Sequence, residues 1–263
     1  MTSPLSFLFA PGDGRPVELA ARVVAWSLVA LLTAALFSFA FNQLHYGWNW
    51  SAIWAYRQKF VQGWLMTVAI SAAALLVSVL IGVVTALARR ARFLPLRYAA
   101  VLYVEAIRGT PLLVQILILF YVVANAVGVE NRYVVGVLSL SLFAGAYLAE
   151  MVRAGIESIR DSQLESARAI GLTRGQTYRY VIFPQVVRQL IPPLTGQFAS
   201  IIKDSSLLSI IALNEFTLNA QEVNAFTYST LESYLPLAAG YLLLTLPISL
   251  FSRILERKFH YAA

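Results

Sequence analysis

The chain has 263 residues, of which 59% are hydrophobic and only 13% are charged, whereas a soluble domain usually carries about 25% charged residues. It has no cysteine, and its two histidines, His45 and His260, are far apart in the sequence, so disulfides and thiolate metal sites are excluded and no metal site is predicted. Basic loops beside membrane spans explain the net charge of +7 better than nucleic-acid binding does.

Apolar runs longer than ~18 residues, enough to cross a bilayer, recur along the chain. They predict an all-α, polytopic membrane protein with about six transmembrane helices. The spans are predicted at about Leu19–Phe41, Val61–Ala88, Tyr98–Val127, Val134–Val152, Val186–Leu213 and Tyr234–Leu255. The first run is interpreted as a retained span rather than a cleaved signal peptide, because no small-residue cleavage motif follows it.

The distribution of basic residues predicts the orientation of the spans. Arginines crowd the segments after the second, fourth and sixth spans, whereas no Lys or Arg lies between Lys203 and Arg253. A minority, Arg57, Lys59 and Arg132, falls on the other side. By the positive-inside rule, both termini and the long loop after the fourth span are predicted to lie in the cytoplasm, with the chain in the cytoplasmic (inner) membrane.

The sequence contains no G-x-x-x-x-G-K-[ST] motif, so the chain is not predicted to bind ATP through a P-loop. It also lacks a nucleophile elbow and an H-E-x-x-H motif. A membrane-embedded enzyme therefore has little support, because its acid, base or metal groups are not evident.

The segment Asp161–Pro184 is polar and amphipathic, although hydrophobic spans flank it. Ser162 stands three residues before Glu165, which predicts a capping box at the start of a short helix over Gln163–Ile170. Gly171 suits the left-handed position that ends such a helix.

Thr173 and Gln176 repeat the capping pattern and predict a second helix toward Phe183, which Pro184 interrupts near the membrane. On this pattern alone, the segment is either a docking surface for a soluble partner or a solvated loop with ordinary helical turns.

The same segment resembles the EAA loop of ABC-importer permeases, whose pattern is E-A-A, three residues, G, nine residues and I-x-L-P. The matching residues are Glu165, Ser166, Ala167, Gly171, Val181, Phe183 and Pro184. We call residues 161–184 the EAA-like loop. The resemblance implies that its short helix is a coupling helix that docks in a cleft of a separate ATPase subunit. Ala167 is small enough for a close approach, and Arg168 and Arg174 can pair with acidic groups of that subunit.

Three further segments resemble polar-amino-acid permeases of the histidine/glutamine type. They are Tyr103–Gln115, Ala146–Ile156 and Lys203–Ser209. With the EAA-like loop, the resemblance covers roughly Val61 to the C-terminus. It implies the transmembrane subunit of an ATP-driven importer for a polar or charged amino acid. Such a subunit works as a dimer, with a second copy or a paralogue, together with an ABC ATPase and an extracytoplasmic amino-acid-binding protein.

The resemblance also implies that ATP and Mg²⁺ bind to the partner ATPase and that this chain binds no cofactor. A typical member of the family has five spans. We therefore expect residues 1–60 to form an N-terminal region with an additional span and an outer loop. Residues 61–263 are expected to form the five-helix core that contains the EAA-like loop.

Ionisable residues inside predicted spans need a partner or a wet cavity. Glu105 and Arg108 share one helix face, and Glu150 and Arg153 repeat their spacing. Both pairs are interpreted as structural ion pairs, with a role in the substrate path as the alternative. The Gly109–Pro111 segment is predicted to break the third helix and to free backbone carbonyls that protein must cover.

The fifth predicted span carries a polar stripe beyond the bend at Pro192 and Pro193. Its members are Gly196, Gln197, Ser200, Lys203 and Asp204. Either the stripe lines a substrate path, with Asp204 attracting an ammonium group, or Lys203 and Asp204 neutralise each other or partner residues at the dimer contact. Beyond it, an acidic, amide-rich segment is predicted to be an outer loop, which either meets the binding protein or is merely solvated. It contains Glu215, Asn219, Gln221, Glu222 and Asn224.

The alternative function is a self-contained secondary transporter or channel for small polar solutes. That class would hold a complete gating or ion-coupling site and would need no docking helix. The EAA-like loop favours the importer subunit.

Overall fold

The structure, a computed structural model, describes residues 19–43 and 46–260; His45 lies outside this range. The described residues form helices and turns without a strand, so the predicted all-α class is confirmed. The helices are α1 (Leu19–Gln43), α2 (Trp50–Ala55), α3 (Arg57–Ala88), α4 (Leu94–Arg108), α5 (Leu112–Ile118), α6 (Arg132–Glu157), α7 (Asp161–Ala169), α8 (Arg174–Thr177), α9 (Phe183–Asp204), α10 (Phe216–Thr227) and α11 (Thr230–His260). Leu119–Ala124 and Tyr178–Ile182 are π-helical, and Ser205–Ile211 is a 3₁₀-helix.

The chain divides into two compact units, residues 1–48 and 49–263. In the first unit, α1 is an apolar helix of 25 residues in which only Ala21 is buried. The division falls before α2, which the sequence had placed in the N-terminal region. In the second unit, Ile53 of α2 joins an apolar cluster with Phe60 of α3 and Val223 of α10.

The centre of the second unit is the packing of α3 against α6, where small side chains let two helices approach closely. A Cβ atom on Gly82 would lie 2.6 Å from the Cβ of Leu148, and one on Gly145 would lie 2.7 Å from a methyl carbon of Ile81. The serine hydroxyl of Ser141 on α6 crosses this contact and donates to the carbonyl of Ala74 on α3 at 3.2 Å. The same hydroxyl also lies 2.6 Å from the carbonyl oxygen of Val137, one turn earlier on α6, so the buried polar group is satisfied.

α3 and α6 also define the two ends of this unit. Lys59, near the start of α3, forms an ion pair with Glu222 of α10. Arg89, directly after α3, forms an ion pair with Glu150, near the end of α6. We call these the α10 end and the α7 end, since α7 follows α6 almost directly.

The predicted break in the third span is confirmed, because α4 and the α5 segment through Ala124 meet at an angle of 113°. The amide nitrogen of Gln115 on α5 covers the break. It lies 2.7 Å from the carbonyl oxygen of Ile107, 3.1 Å from that of Thr110 and 2.9 Å from the Thr110 hydroxyl. A side chain therefore satisfies the carbonyls that the break releases, as backbone at membrane depth requires.

In the described residues, four helices are long and apolar enough to cross a membrane, namely α1, α3, α6 and α11, and the bent α4–α5 pair makes five. The remaining predicted span, α9, has 22 residues but carries Arg188, Lys203 and Asp204 and two internal prolines. The prediction of six spans therefore depends on counting α9, whose composition is more polar than that of the others.

The fifth helix was predicted to reach Leu213, but α9 ends at Asp204. The following serines explain the early end, since each bonds a backbone carbonyl three residues back. Ser205 donates to Ile202 at 2.8 Å, Ser206 to Lys203 at 2.7 Å and Ser209 to Ser206 at 2.8 Å. Such local bonds compete with the α-helical pattern and favour the tighter 3₁₀ turn.

Candidate functional site

The helix of the EAA-like loop is α7, and it begins two residues earlier than predicted. Arg160 is its extended N-cap residue, and no side chain caps the helix. The predicted capping box of Ser162 and Glu165 is therefore wrong. Both residues lie inside the helix, where Asp161 in the first turn complements the helix dipole, and Ser162 presents its carbonyl to the hydroxyl of Ser166 at 2.8 Å.

The end of α7 follows the prediction, because Gly171 adopts the left-handed conformation with φ of +80°. The amide of Leu172 donates to the carbonyl of Ala167 at 3.0 Å, and the amide of Gly171 donates to that of Arg168 at 2.9 Å. These two bonds form a Schellman motif, which satisfies carbonyls that the helix end would otherwise leave open.

The second capping box is formed as predicted. The amide of Thr173 donates to the Gln176 side-chain oxygen at 2.9 Å, and the amide of Gln176 donates to the Thr173 hydroxyl at 3.3 Å. The short α8 continues through the π-helical turn directly into α9. Pro184 lies in the first turn of α9 and has no amide to donate to the carbonyl four residues earlier, which accounts for the widened turn.

Burial divides the coupling residues predicted in α7 into two sets. Ala167 is buried, with 3% of its surface exposed, so its prediction as a small contact for the partner is corrected: its side chain packs inside this chain. Glu165, Ser166 and Arg168 are exposed. Ile170, which the pattern did not single out, is 76% exposed at the end of this polar helix.

Apolar contacts connect α7 to two long helices. Leu164 packs against a cluster formed by Ile159, directly after α6, and by Ile182 and Val186, where α9 begins. The helix is thus fixed to the ends of α6 and α9, and its other face is exposed. A cavity of about 600 Å³ beside α7 is lined by Arg90, Arg168 and Arg174 among others, so its wall is basic.

Glu150 is the centre of an ion-pair network at the α7 end. Its carboxylate accepts hydrogen bonds from Arg89 and from Arg153, whose Nη2 lies at 2.8 Å, and Arg108 of α4 approaches to 3.9 Å. Arg153 also pairs with Glu157. One carboxylate thus joins three elements, α3, α4 and α6.

The predicted pair of Glu105 with Arg108 is not present in the residues that the structure describes. Packing of α4 against α6 brings Arg108 to Glu150 and over the ring of Tyr147, with its Cζ atom 5.5 Å from the ring centroid. Glu105 is exposed one turn earlier on the same helix. Glu150 and Arg153 do form the pair that their spacing predicts.

The polar stripe of α9 is not a continuous lining in this structure. Gln197 is buried, Ser200 and Asp204 are half-buried and Lys203 is exposed. Among the described residues, Lys203 and Asp204 form no ion pair within 4.0 Å. The role of the stripe as a substrate path therefore stays a prediction.

A cavity of about 930 Å³ opens at the α10 end, away from the stripe. Most of its lining surface is apolar, and several polar side chains contribute to it. The residues are Ala55, Tyr56, Gln58, Lys59, Gln62, Leu65, Met66, Ala69, Tyr133, Asn214 and Asn219. The size and the number of polar groups are sufficient for a small polar ligand.

The segment predicted as an outer loop is the helix α10. Its N-cap residue, Glu215, is fully buried, and its carboxylate accepts from the amides of Thr217 at 2.7 Å and Leu218 at 2.8 Å and from the Tyr241 hydroxyl at 3.0 Å. Desolvation by burial raises the pKa of the Glu215 carboxyl, and the two amide hydrogen bonds oppose that shift.

Asn219 connects α10 to the cavity wall, since its side-chain amide donates to the carbonyl of Lys59 at 2.9 Å. Gly63 permits this close approach, because a Cβ atom there would lie 2.7 Å from the Asn219 amide nitrogen. Sequence reasoning missed this arrangement. Gly63, near the start of α3, was a possible sign of a close contact. Its partner Asn219 is far away along the chain, so the sequence does not show which residue approaches it.

Comparisons with known proteins extend these observations. The family described as "Binding-protein-dependent transport system inner membrane component" matches residues 78–261. The Glutamine transport system permease protein GlnP of Escherichia coli (strain K12) is 34% identical over 212 residues, which are 80% of this chain and 97% of that protein. The L-cystine transport system permease protein TcyB of Bacillus subtilis (strain 168) is 37% identical over 193 residues, 73% of this chain and 82% of the relative. A crystal structure of an amino acid ABC transporter with histidines is similar with a TM-score of 0.75 and 33% identity, and the match covers 81% of this chain and 100% of the other.

Proposed function

The chain belongs to the family of inner membrane components of binding-protein-dependent transport systems, and we propose that it is the transmembrane subunit of an ATP-driven importer for a polar amino acid. The relatives are named for glutamine and cystine transport, and the similar crystal structure contains histidines. These substrates share the ammonium and carboxylate groups of an α-amino acid and differ in their side chains. We therefore assign a zwitterionic amino acid with a polar or charged side chain to this chain.

The observation that carries the proposal is the exposed surface of α7. Glu165, Arg168 and Ile170 project from a short helix that the Schellman motif at Gly171 ends sharply. An exposed isoleucine between charged residues has the composition of a protein contact rather than of a lipid-facing helix. We infer that this surface binds a separate ABC ATPase, which carries ATP and Mg²⁺, while this chain binds no cofactor.

The packing of α7 supplies a way to convert movement of the ATPase into movement of the spans. Leu164 packs against Ile159, Ile182 and Val186. A displacement of α7 would therefore move the end of α6 and the start of α9 along with it. Native apolar packing is stiff, so a small shift at the surface is transmitted rather than absorbed. The π-helical turn before α9 is the segment in which the hydrogen-bond pattern already departs from that of an α-helix.

We infer that the α7 end faces the cytoplasm and the α10 end faces outward, as the positive-inside rule predicts. The cavity at the α10 end would then receive the amino acid from an extracytoplasmic binding protein. The substrate path continues, in this proposal, along Gln197, Ser200, Lys203 and Asp204 of α9. The second half of the dimer is another copy of the chain or a paralogue.

The test is ATP-dependent uptake by the permease reconstituted with its ATPase and binding protein, using labelled glutamine, histidine and cystine. We expect uptake of at least one of them to require both partners. Ile170→Asp should abolish co-purification of the ATPase and uptake, because it places a charge in the apolar centre of the contact. Tyr228→Asp is the matched control for co-purification of the ATPase, since Tyr228 is 87% exposed at the other end and its left-handed backbone is one that aspartate readily adopts.

Uptake that persists without ATP or without the ATPase would contradict the proposal and favour a self-contained transporter or channel. Normal ATPase binding by Ile170→Asp would contradict the assignment of the α7 surface. The uptake assay would still test the transport function independently.

A further inference from the structure

A second basic cavity at the α7 end lies between the end of α3, the start of α4 and the end of α6. Its volume is about 560 Å³, and its lining consists of Arg89, Arg90, Arg97, Val101, Arg153 and Glu157. It shares Arg90 with the basic cavity beside α7, and none of its other lining residues belongs to that cavity. We propose that it binds the headgroup of an anionic glycerophospholipid from the surrounding membrane.

The charges of the cavity are not balanced within the chain. Arg89 and Arg153 are held by Glu150 and Glu157. Among the described residues, Arg90 and Arg97 form no ion pair with a carboxylate, and both are exposed. The four guanidinium groups of the lining, set against these two carboxylates, leave a net charge of +2 (4 − 2). Guanidinium groups bind phosphate oxygens through two parallel hydrogen bonds, so a phosphodiester is a suitable anion.

The start of α4 adjoins the same site through Arg97. α4 is a helix of 15 residues whose N-cap residue, Phe93, makes no side-chain cap, and its first turn contains no acidic residue. Pro95 has no amide, and the open amides of Leu94 and Leu96 at this end carry partial positive charge and favour an anion. Arg97 lies in the first turn of α4, so its guanidinium and the open helix end belong to one region.

The surroundings of the cavity point to a lipid rather than to a soluble anion. Val101, one turn after Arg97, contributes an apolar wall inside the cavity. Phe93, Leu96 and Tyr98 beside it are exposed large hydrophobic side chains. Aromatic residues beside arginines are typical of the membrane interface, and basic pockets between spans bind phospholipid headgroups. The phosphate of such a lipid would lie among the arginines of the cavity. Its acyl chain would lie along Val101 and the exposed hydrophobic side chains beside it.

The experiment measures binding of fluorescent cardiolipin, phosphatidylglycerol and phosphatidylcholine to the purified, full-length chain in detergent. We expect cardiolipin, with two phosphates, to bind most tightly and phosphatidylcholine to bind weakly. The double variant Arg90→Gln/Arg97→Gln should weaken cardiolipin binding by tenfold or more. Arg160→Gln/Arg179→Gln is the matched control, because it removes two exposed arginines from the same end without touching the cavity.

Each other outcome overturns the proposal. Equal losses in both double variants would mean general attraction to positive charge instead of a site. Displacement of cardiolipin by millimolar inorganic phosphate or glycerol 3-phosphate would identify a soluble-anion site. Loss of the ATPase from detergent-purified, lipid-free Arg90→Gln/Arg97→Gln complexes, with lipid binding unchanged, would identify a contact with the partner subunit.

Discussion

Thr67 of α3 forms a hydrogen bond to Glu215, the residue before α10, at the point where these two helices meet. The Thr67 hydroxyl donates to the Glu215 carboxylate at 3.4 Å and accepts from the amide of the next residue, Phe216, at 3.2 Å. Both side chains are fully buried. The pair holds the start of α10 on α3, and α10 in turn supplies Asn219 to the cavity at the α10 end.

We predict that Glu215→Gln destabilises the protein and reduces uptake. The variant keeps the shape of the side chain, but its NH₂ group faces donors, because both Thr217 and Leu218 direct amides at the carboxylate. Leaving a buried donor without an acceptor costs about 1–3 kcal/mol, which thermal unfolding of the purified chain measures. Glu222→Gln is the control, since Glu222 is only partly buried and should change stability by less than about 1 kcal/mol. An unchanged melting temperature in Glu215→Gln would contradict the prediction.

Gln115→Leu should also lower stability, by a different mechanism. Leucine has a similar size but no donor, so the carbonyls of Ile107 and Thr110 at the α4–α5 break lose their hydrogen bond. Each unsatisfied buried carbonyl costs about 1–3 kcal/mol. Asn125→Leu removes a comparable amide that is exposed and bonds the carbonyl of Tyr121, and it should be nearly neutral in the same unfolding measurement. Equal effects of the two variants would mean that the amide does not support the break.

A glycine pair tests how α7 ends. Gly171→Ala places a side chain at φ of +80°, whereas Gly175→Ala, four residues later, meets no atom within 4 Å and has no positive φ. A left-handed backbone costs a non-glycine residue about 1–2 kcal/mol, so Gly171→Ala should loosen the Schellman motif. We expect ATPase activity stimulated by the binding protein to fall in Gly171→Ala and to persist in Gly175→Ala, with normal membrane insertion of both. Full stimulation in Gly171→Ala would show that the sharp end of α7 is not needed for coupling.

Local sequence patterns were sufficient for the features that local chemistry determines. Apolar length predicted the spans, and Gly171 and the Thr173–Gln176 spacing predicted how α7 ends and α8 begins. The break at Gly109–Pro111 was evident because a glycine and a proline close together favour the end of a helix, although Pro192 and Pro193 lie inside α9 without ending it. None of these features depends on a distant residue.

Two of the missed features, the helix α10 and the pairing of Arg108 with Glu150, depend on contacts between distant parts of the chain. α10 is rich in amide and acidic side chains and too short to be a span, so it was predicted to be a loop. Glu215 is buried because Thr67, 148 residues away, and Tyr241, 26 residues away, provide its partners. Arg108 pairs with Glu150 because α4 packs on α6. The spacing of residues within one helix does not predict which helices pack together.

The last prediction concerns Asp204 in the proposed substrate path. A carboxylate that meets the ammonium group of an amino acid contributes a charge-assisted hydrogen bond of about 1.5–3 kcal/mol, and every ~1.4 kcal/mol is a factor of ten in affinity. Asp204→Asn nearly preserves the shape and removes the charge, so we expect uptake to fall about tenfold or more while dimer assembly and basal ATP hydrolysis persist.

Lys203→Met decides between a ligand and a neutralised pair. Since Lys203 is exposed, Asp204 is half-buried and the two form no ion pair in the described residues, we expect the double variant Lys203→Met/Asp204→Asn to transport as poorly as Asp204→Asn alone. Recovery of uptake in the double variant would mean that the two charges only balance each other. Normal uptake in Asp204→Asn would remove the carboxylate from the path, and selectivity would then come from the binding protein or from the cavity at the α10 end.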